Sequence, residues 1–176
     1  MTARRARILD AAVAVLAKHG MDGWSMERVA QAADCAKGLV HYHFRSRDAL
    51  LAAVGQTLAV RRIERREQAL APRGTAALDA LWRVLREDTR DGRAAAWLVL
   101  GLNGASAVRQ AMMPPAPLLD RFAAAAGVAL EGEPLASRSA HALLLVLDGF
   151  EAALVRGAPE ADVREAYDRV WLAMLG

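Results

Sequence analysis

The sequence has one cysteine and no long uncharged hydrophobic run, and both absences narrow the class of protein. A single cysteine cannot form an internal disulfide, and such scarcity suits a reducing cytoplasm. No apolar stretch reaches the roughly 18 residues that a membrane-spanning helix needs, so we expect no membrane segment. The chain of 176 residues has only six prolines, no low-complexity run and 55% hydrophobic residues, which excludes disorder. We therefore expect a globular, cytoplasmic protein.

The first 20 residues look like a signal peptide only superficially. Basic residues precede an apolar stretch, but Asp10, Lys18 and His19 interrupt it, and no small-residue cleavage site follows. Apolar residues recur there at the spacing of a helix. We predict a folded helix from about Ala3 to His19, with Gly20 as its C-terminal cap.

The positive charge of the chain is concentrated at its N-terminus. Residues 1–50 hold eight Lys and Arg against five Asp and Glu, whereas the remaining residues hold fifteen of each kind. The whole formal charge of +3 therefore lies in the first 50 residues. A local excess of this sign is what a polyanionic partner requires.

Residues 25–44 have the pattern of two short helices joined by a tight turn. Ser25 can cap the first helix, and Asp34 tolerates the left-handed backbone that a turn requires. In the second helix, Val40 and Phe44 lie four residues apart on the inner side. The residues left facing outward are Lys37, Gly38, His41 and Tyr42. The pattern predicts a helix-turn-helix whose outer face suits a phosphate-lined groove.

The segment AADCAKGLVHYHFRSRDALLAAV, residues 32–54, resembles the DNA-binding signature of the TetR/AcrR repressors. Residues that match the family pattern outright are Ala33, Lys37, Gly38 and Phe44; Cys35 and Val40 fill its apolar positions, and residues 41–43 fill its aromatic run. Three residues depart from the pattern. Asp34 replaces a turn glycine, Ala36 replaces a capping serine, and Glu27 stands where a basic residue is frequent. The resemblance covers about the first 54 residues.

The second helix of the motif, residues 37–44, is the predicted recognition helix. It is expected to enter the major groove of double-stranded operator DNA. Lys37 can pair with a phosphate or donate to guanine, Gly38 allows close backbone approach, and Leu39 can pack on a thymine methyl. The full set of predicted DNA-binding residues is Ser25, Arg28, Lys37, Gly38, Leu39, His41, Tyr42 and Arg47. For Tyr42 and His43, the alternative interpretation is packing inside the N-terminal three-helix domain, here called the head.

A long connecting helix is predicted over residues 47–71, with Ser46 as its cap. Four arginines, Arg61, Arg62, Arg65 and Arg66, alternate there with acidic residues. We interpret them as a solvated face with ion pairs rather than a nucleic-acid surface. The segment 72–74, Pro-Arg-Gly, then ends the helical pattern, and Thr75 can cap the next helix.

Four further helical stretches follow: residues 93–113, with a kink or break near residues 101–104, then 118–126, 135–156 and 159–175. Residues 127–134 read as loop.

The stretch 135–156 is apolar nearly all round, which indicates burial on more than one side. We predict that it forms a homodimer interface with the last helix, as the family resemblance also implies, through Leu144, Leu147, Asp148, Glu151, Tyr167, Val170, Trp171 and Met174. Asp148 could hydrogen-bond across that interface or face a cationic ligand.

The family resemblance implies a sensor site in the helical body. The candidates for lining it are Trp82, Trp97, Asn103, Met112, Met113, Phe122 and Phe150. One polar group among many apolar ones suggests an apolar or flat aromatic effector. Each of these side chains could equally be ordinary core.

Metal and catalytic chemistry find no support in the sequence. His41 and His43, two apart on a helix, point about 200° from each other and cannot share one ion. No nucleophile elbow, phosphate-binding glycine loop or paired carboxylate appears, so we predict no enzymatic activity, no metal and no cofactor.

Together these patterns predict an all-α protein with a three-helix helix-turn-helix head on a helical bundle for ligand binding and dimerisation. The expected domains are the head at residues 1–46, the connecting helix at 47–71 and the effector-binding and dimerisation domain at 72–176. The predicted function is a homodimeric repressor that binds a palindromic operator and is released by a small effector. The alternatives are a helical carrier or enzyme with a head that only resembles a DNA reader, and a transcriptional activator of the same fold.

Overall fold

The structure is a computed structural model that describes residues 3–130 and 137–175. Its ten helices are α1 (Ala3–His19), α2 (Met26–Ala32), α3 (Lys37–His43), α4 (Arg47–Ala69), α5 (Thr75–Arg90), α6 (Arg93–Asn103), α7 (Ser106–Ala111), α8 (Ala116–Leu130), α9 (Ser137–Val155) and α10 (Glu160–Leu175). Within those ranges no β-strand occurs, and the predicted all-α class is confirmed. None of the described helices is both long and apolar enough to cross a membrane.

The helices pack into two compact units. Unit 1 comprises residues 1–59 and 95–114, and unit 2 comprises residues 60–94 and 115–176. These units divide the chain at other points than the expected domain boundaries. Residues 95–114, expected in the C-terminal domain, pack with the N-terminal head because Ala96, Leu100 and Met112 are buried in its core.

The core of unit 1 forms where α1 packs across the two short helices that follow it. Ile8, Leu9 and Leu16 bury one stripe of α1, as the helical spacing predicted. The indole of Trp24 is buried as well, and its Nε1 donates to the carbonyl of Ala12 at 3.2 Å. α1 ends at Gly20, whose φ of 62° is the left-handed conformation that a C-terminal glycine cap supplies.

The predicted break inside residues 93–113 is confirmed at Gly104, between α6 and α7. A Cβ at this glycine would lie 2.4 Å from the carbonyl oxygen of Leu100, which is far inside van der Waals contact. The chain can therefore turn there only because the side chain is absent.

Unit 2 is built around aromatic rings from α5, α9 and α10. The ring of Tyr167 lies 5.2 Å from that of Trp82, 5.3 Å from that of Phe150 and 5.7 Å from that of Trp171, centre to centre. The Tyr167 hydroxyl donates to the carbonyl of Leu78 at 2.8 Å, so its polar group is satisfied inside the core. Burial raises the pKa of this phenol.

Two details of unit 2 differ from the sequence predictions. α5 begins after Gly74, which occupies the cap position with a φ of 61° and no side-chain bond, so Thr75 is not the cap. α8 is longer than predicted and includes residues 127–130, because Ala126, Gly127 and Ala129 are buried on its inner side.

Candidate nucleic-acid interface

The first helix of the motif, α2, is fixed by the cap that its sequence predicts. The Oγ of Ser25 accepts from the backbone N–H of Arg28 at 3.1 Å. The Ser25 side chain is therefore used to cap α2. The bond involves only the backbone of Arg28, whose side chain is exposed.

The turn after α2 also follows the prediction. Asp34 has a φ of 49° and is the one non-glycine residue with a positive φ among those described. The N–H of Cys35 donates back to the carbonyl of Ala30 at 3.0 Å, which closes the turn. Ala36 starts α3 with no side-chain cap, as its substitution for the family serine predicts.

The outer face of α3 is open to solvent. Val40 and Phe44 are buried beneath it, while Lys37, Gly38 and His41 are exposed. Tyr42 is 80% exposed, an unusual placement for a large aromatic ring. A Cβ at Gly38 would meet no atom within 4 Å, so a partner can approach the backbone there.

Three side chains near α3 make contacts within the head, those of Leu39, Arg47 and His43. Leu39 is half-buried and packs against the head core. The Arg47 guanidinium donates to the carbonyl of Met21 at 3.2 Å and lies 5.5 Å from the centre of the Trp24 ring. His43 is half-buried and meets Tyr42 edge-on at 5.2 Å, so His43, of the two rings, is the one packed into the head.

Two arginines of α1 also lie beside the motif. Arg7 donates to the carbonyl of Ala33 at 3.1 Å, and the Arg5 guanidinium lies 4.9 Å from the centre of the Phe44 ring. Two of the three arginines of α1 thus contact residues of the motif. Lys37 Nζ lies 3.9 Å from a carboxylate oxygen of Glu27, so the acid that departs from the family pattern sits beside the basic residue that matches it.

The predicted effector residues do not gather in one compact unit. Those in unit 1 are Trp97, Asn103, Met112 and Met113, and those in unit 2 are Trp82, Phe122 and Phe150. Met112 and Phe122 are buried core residues, whereas Met113 is 64% exposed. The Asn103 amide is used locally, because it donates to the carbonyl of Val99 at 3.1 Å.

Most of the residues predicted at a dimer interface are instead buried or half-buried within unit 2. Leu147, Glu151, Tyr167 and Trp171 are buried there, and Leu144 and Val170 are half-buried. The side chain of Met174 lies outside the described part of the chain. Among the described side chains of α9 and α10, the large apolar ones that are exposed are Leu145 and Leu172, each 74% exposed.

A buried ionic cluster in unit 2 corrects the interpretation of the arginine stripe on α4. Arg62 and Arg66 are buried rather than solvated, with 2% and 1% exposure. Asp148 lies 2.8 Å from Arg62 and 2.7 Å from Arg66, and Glu151 lies 2.5 Å and 3.2 Å from the same two guanidinium groups. Asp148 therefore pairs within its own chain.

The charges in this cluster stabilise one another. Burial alone would lower the pKa of Arg66, but the carboxylates of Glu151 and Asp148 outweigh it and raise the pKa. A signal for the cluster exists in the sequence. Arg62 and Arg66 are four apart on α4, and the lone acids Asp148 and Glu151 are three apart in an apolar helix, so each pair shares one helix face.

Comparison with known proteins agrees with this geometry. Residues 8–54 match the family described as bacterial regulatory proteins, tetR family. No curated protein matches the chain significantly. Among solved structures, the multidrug binding protein EbrR complexed with ethidium is 28% identical, with 95% of this chain and 97% of that chain covered and a TM-score of 0.61.

Two further structures extend the likeness over the whole chain. EbrR complexed with imidazole is 27% identical, with 96% and 95% of the two chains covered and a TM-score of 0.65. A protein from Rhodococcus sp. described as a TetR-family transcriptional regulator is 22% identical, covers both chains fully and has a TM-score of 0.73, which shows a common fold. Residues 8–54 therefore match the DNA-binding domain of the tetR family of bacterial regulatory proteins, and the chain as a whole has the fold of TetR-family regulators.

Proposed function

We propose that the chain is a cytoplasmic transcriptional repressor that binds a palindromic operator as a homodimer and is released by a small, mainly apolar or aromatic effector. The observation that carries the proposal is the outer face of α3. Lys37, Gly38, His41 and Tyr42 are exposed together on one short helix whose inner side is buried. Exposed donors beside an open glycine backbone suit contact with phosphates and base edges in a major groove.

The test is binding to the DNA next to the gene of the protein itself, measured by gel shift. We expect specific retention, and Lys37→Ala should weaken it about tenfold, because a lost base or phosphate contact costs roughly 1–3 kcal/mol. Lys18→Ala is the matched control, since Lys18 is also an exposed lysine of the head but lies at the end of α1.

Two outcomes would contradict the DNA-binding proposal. One is the absence of retention at low salt, which would favour a small-molecule carrier. The other is equal binding by native protein and Lys37→Ala, which would contradict the placement of the DNA contact on α3. A reporter gene placed downstream of the same DNA distinguishes a repressor from an activator, because a repressor lowers its expression and an activator raises it.

We propose that α9 supplies the dimer surface through its exposed side. Leu145 is 74% exposed, and Gly149, four residues on, lies on the same face and is also exposed. An added Cβ at Gly149 would meet no atom within 4 Å, so a neighbouring helix has room to approach. Two heads on one dimer would address half-sites about 34–36 Å apart, one turn of DNA.

Leu145→Arg tests this surface, with Leu102→Arg as the matched control because Leu102 is 81% exposed on α6. We expect the native chain and Leu102→Arg to have the mass of a dimer by light scattering at micromolar concentration, and Leu145→Arg to have the mass of a monomer. A native monomer, or a Leu145→Arg variant that stays dimeric, would contradict the proposed surface.

The proposed effector class is supported by the aromatic content of unit 2 and by the likeness to EbrR, which has been crystallised with ethidium and with imidazole. Effector and operator would be coupled through α4, which runs from residue 47 to residue 69 through both units. A coupling of about 1–3 kcal/mol would release the operator about 5–150-fold. Linkage requires each ligand to weaken binding of the other by the same factor, and unequal factors in paired titrations would reject the scheme.

A further inference from the structure

Glu27 is the single acidic residue in the two helices of the motif, α2 and α3. It lies in the first turn of α2, and its side chain is 66% exposed. Lys37 begins α3, and its side chain is 58% exposed. The Nζ of Lys37 lies 3.9 Å from a carboxylate oxygen of Glu27. The motif therefore presents a hydrogen-bond donor and a hydrogen-bond acceptor side by side to solvent.

The carboxylate of Glu27 opposes any binding that relies on phosphates alone. It repels the DNA backbone and offsets part of the positive charge of Lys37. Its contribution to folding is small, because an ion pair between two exposed side chains adds little stability. Its position in the first turn favours α2 through the helix dipole, but the Ser25 side chain already caps that helix.

The major-groove edges of the bases offer one good partner for each of these two charged groups. Cytosine presents its N4 amine as a donor, whereas adenine places the acceptor N7 beside its amine and so repels a carboxylate. Guanine presents two adjacent acceptors, O6 and N7, to a lysine. The rise between base pairs is roughly 3.4 Å, close to the 3.9 Å between the two side chains. Both groups can therefore reach one base pair or two neighbouring pairs.

We propose that Glu27 is a specificity-determining residue, which accepts a hydrogen bond from a cytosine N4 amine at the base pair whose guanine Lys37 contacts, or at the pair next to it. On DNA without that cytosine, the carboxylate loses its hydration in the groove and gains no donor in return. Glu27 therefore weakens binding to unrelated DNA more than binding to the operator. The inference rests on the proposed DNA binding and adds the base that the half-site must contain.

The experiment selects duplexes from a library with a randomised central segment, in parallel with the native full-length chain, Glu27→Ala and Lys37→Ala. Fluorescence anisotropy then measures the affinity of each protein for the duplex selected by the native chain and for its single-pair substitutions. We expect replacement of one C·G pair by T·A to weaken the native chain about tenfold and Glu27→Ala about twofold or less. Lys37→Ala should lose its base preference at the same pair or at a neighbouring one.

Asp48→Ala is the matched control, since Asp48 is also an exposed acid in the first turn of a helix, α4. It should keep every base preference of the native chain. The melting temperature of each variant identifies a purely structural role, because loss of a favourable helix-dipole interaction lowers the melting temperature without changing which bases are preferred.

The outcomes distinguish this inference from the DNA-binding proposal on which it rests. If Glu27→Ala binds DNA with the base preferences of the native chain, the inference is wrong and DNA binding stands. The same holds if Lys37→Ala loses no base preference within one base pair of that cytosine. If the native chain enriches no duplex from the library, DNA binding itself is contradicted, and the role of Glu27 with it.

Discussion

The buried arginines of α4 are the residues that most constrain unit 2. Arg62 and Arg66 leave water almost completely, and each needs a carboxylate because an unpaired buried charge is costly. Glu151 is 1% exposed and lies within 3.2 Å of both guanidinium groups. The cluster therefore fixes the position of α4 against α9 within unit 2.

Glu151→Gln should destabilise the protein by about 3 kcal/mol, because it leaves one buried guanidinium charge uncompensated. Urea unfolding followed by circular dichroism measures the loss. Glu165→Gln is the control, since its pair with Arg169 is exposed and should be worth well under about 1 kcal/mol. A loss no larger than that of the control would mean that the cluster contributes little to stability.

Asp148 should make stability depend on acid pH. Burial alone would raise the pKa of its carboxyl, but the charges of Arg66 and Arg62 outweigh it and hold the pKa below the ordinary value of 3.8. The unfolded chain then binds this proton more readily than the folded protein. The stabilisation is complete above the ordinary pKa and is lost as pH falls through the lower pKa of the folded state.

Asp148→Asn should therefore lose stability at neutral pH and show a flatter dependence between about pH 5 and pH 2 than the native chain. Urea unfolding at a series of pH values measures both curves. Parallel curves for the two proteins would contradict the role given to this carboxylate.

At the scale of single helices, local chemistry in the sequence predicted most of the head. The cap at Ser25, the left-handed turn at Asp34 and the end of α1 at Gly20 each depend on a few neighbouring residues, and all three are confirmed. The missed features depend on distant partners. Arg62 and Arg66 are buried because α9, some 82 to 89 residues away, supplies their carboxylates. Residues 95–114 join unit 1 because of contacts that no local pattern records.

The uncapped start of α3 leads to a prediction about that helix. Ala36 is exposed, with φ −66° and ψ 141°, which is the extended conformation of a cap residue. Ala36→Ser should stabilise the protein by about 0.5–1 kcal/mol by bonding a free N–H of the first turn. Ala14→Ser, at an exposed position inside α1, should instead cost a few tenths of a kcal/mol. Urea unfolding distinguishes the two, and equal effects would show that α3 gains nothing from a cap.

At the scale of the whole molecule, the excess positive charge lies in the first 50 residues, next to the exposed face of α3. Binding that relies on phosphate contacts releases counterions, so affinity should fall steeply with salt. A dimer that makes about 6–10 phosphate contacts should lose about 10³–10⁵-fold in affinity between 50 and 200 mM salt. Fluorescence anisotropy with a labelled duplex measures the slope, and a flat response would exclude a phosphate-based interface.

We propose that two copies of one head bind one DNA duplex. The most direct measurement is the mass of the complex between the purified chain and the duplex next to its gene, by analytical ultracentrifugation at micromolar concentration. We expect two chains for each half-site pair, a stoichiometry that Leu145→Arg loses and Leu102→Arg keeps. A complex with a single chain, or free DNA at every protein concentration, would contradict it.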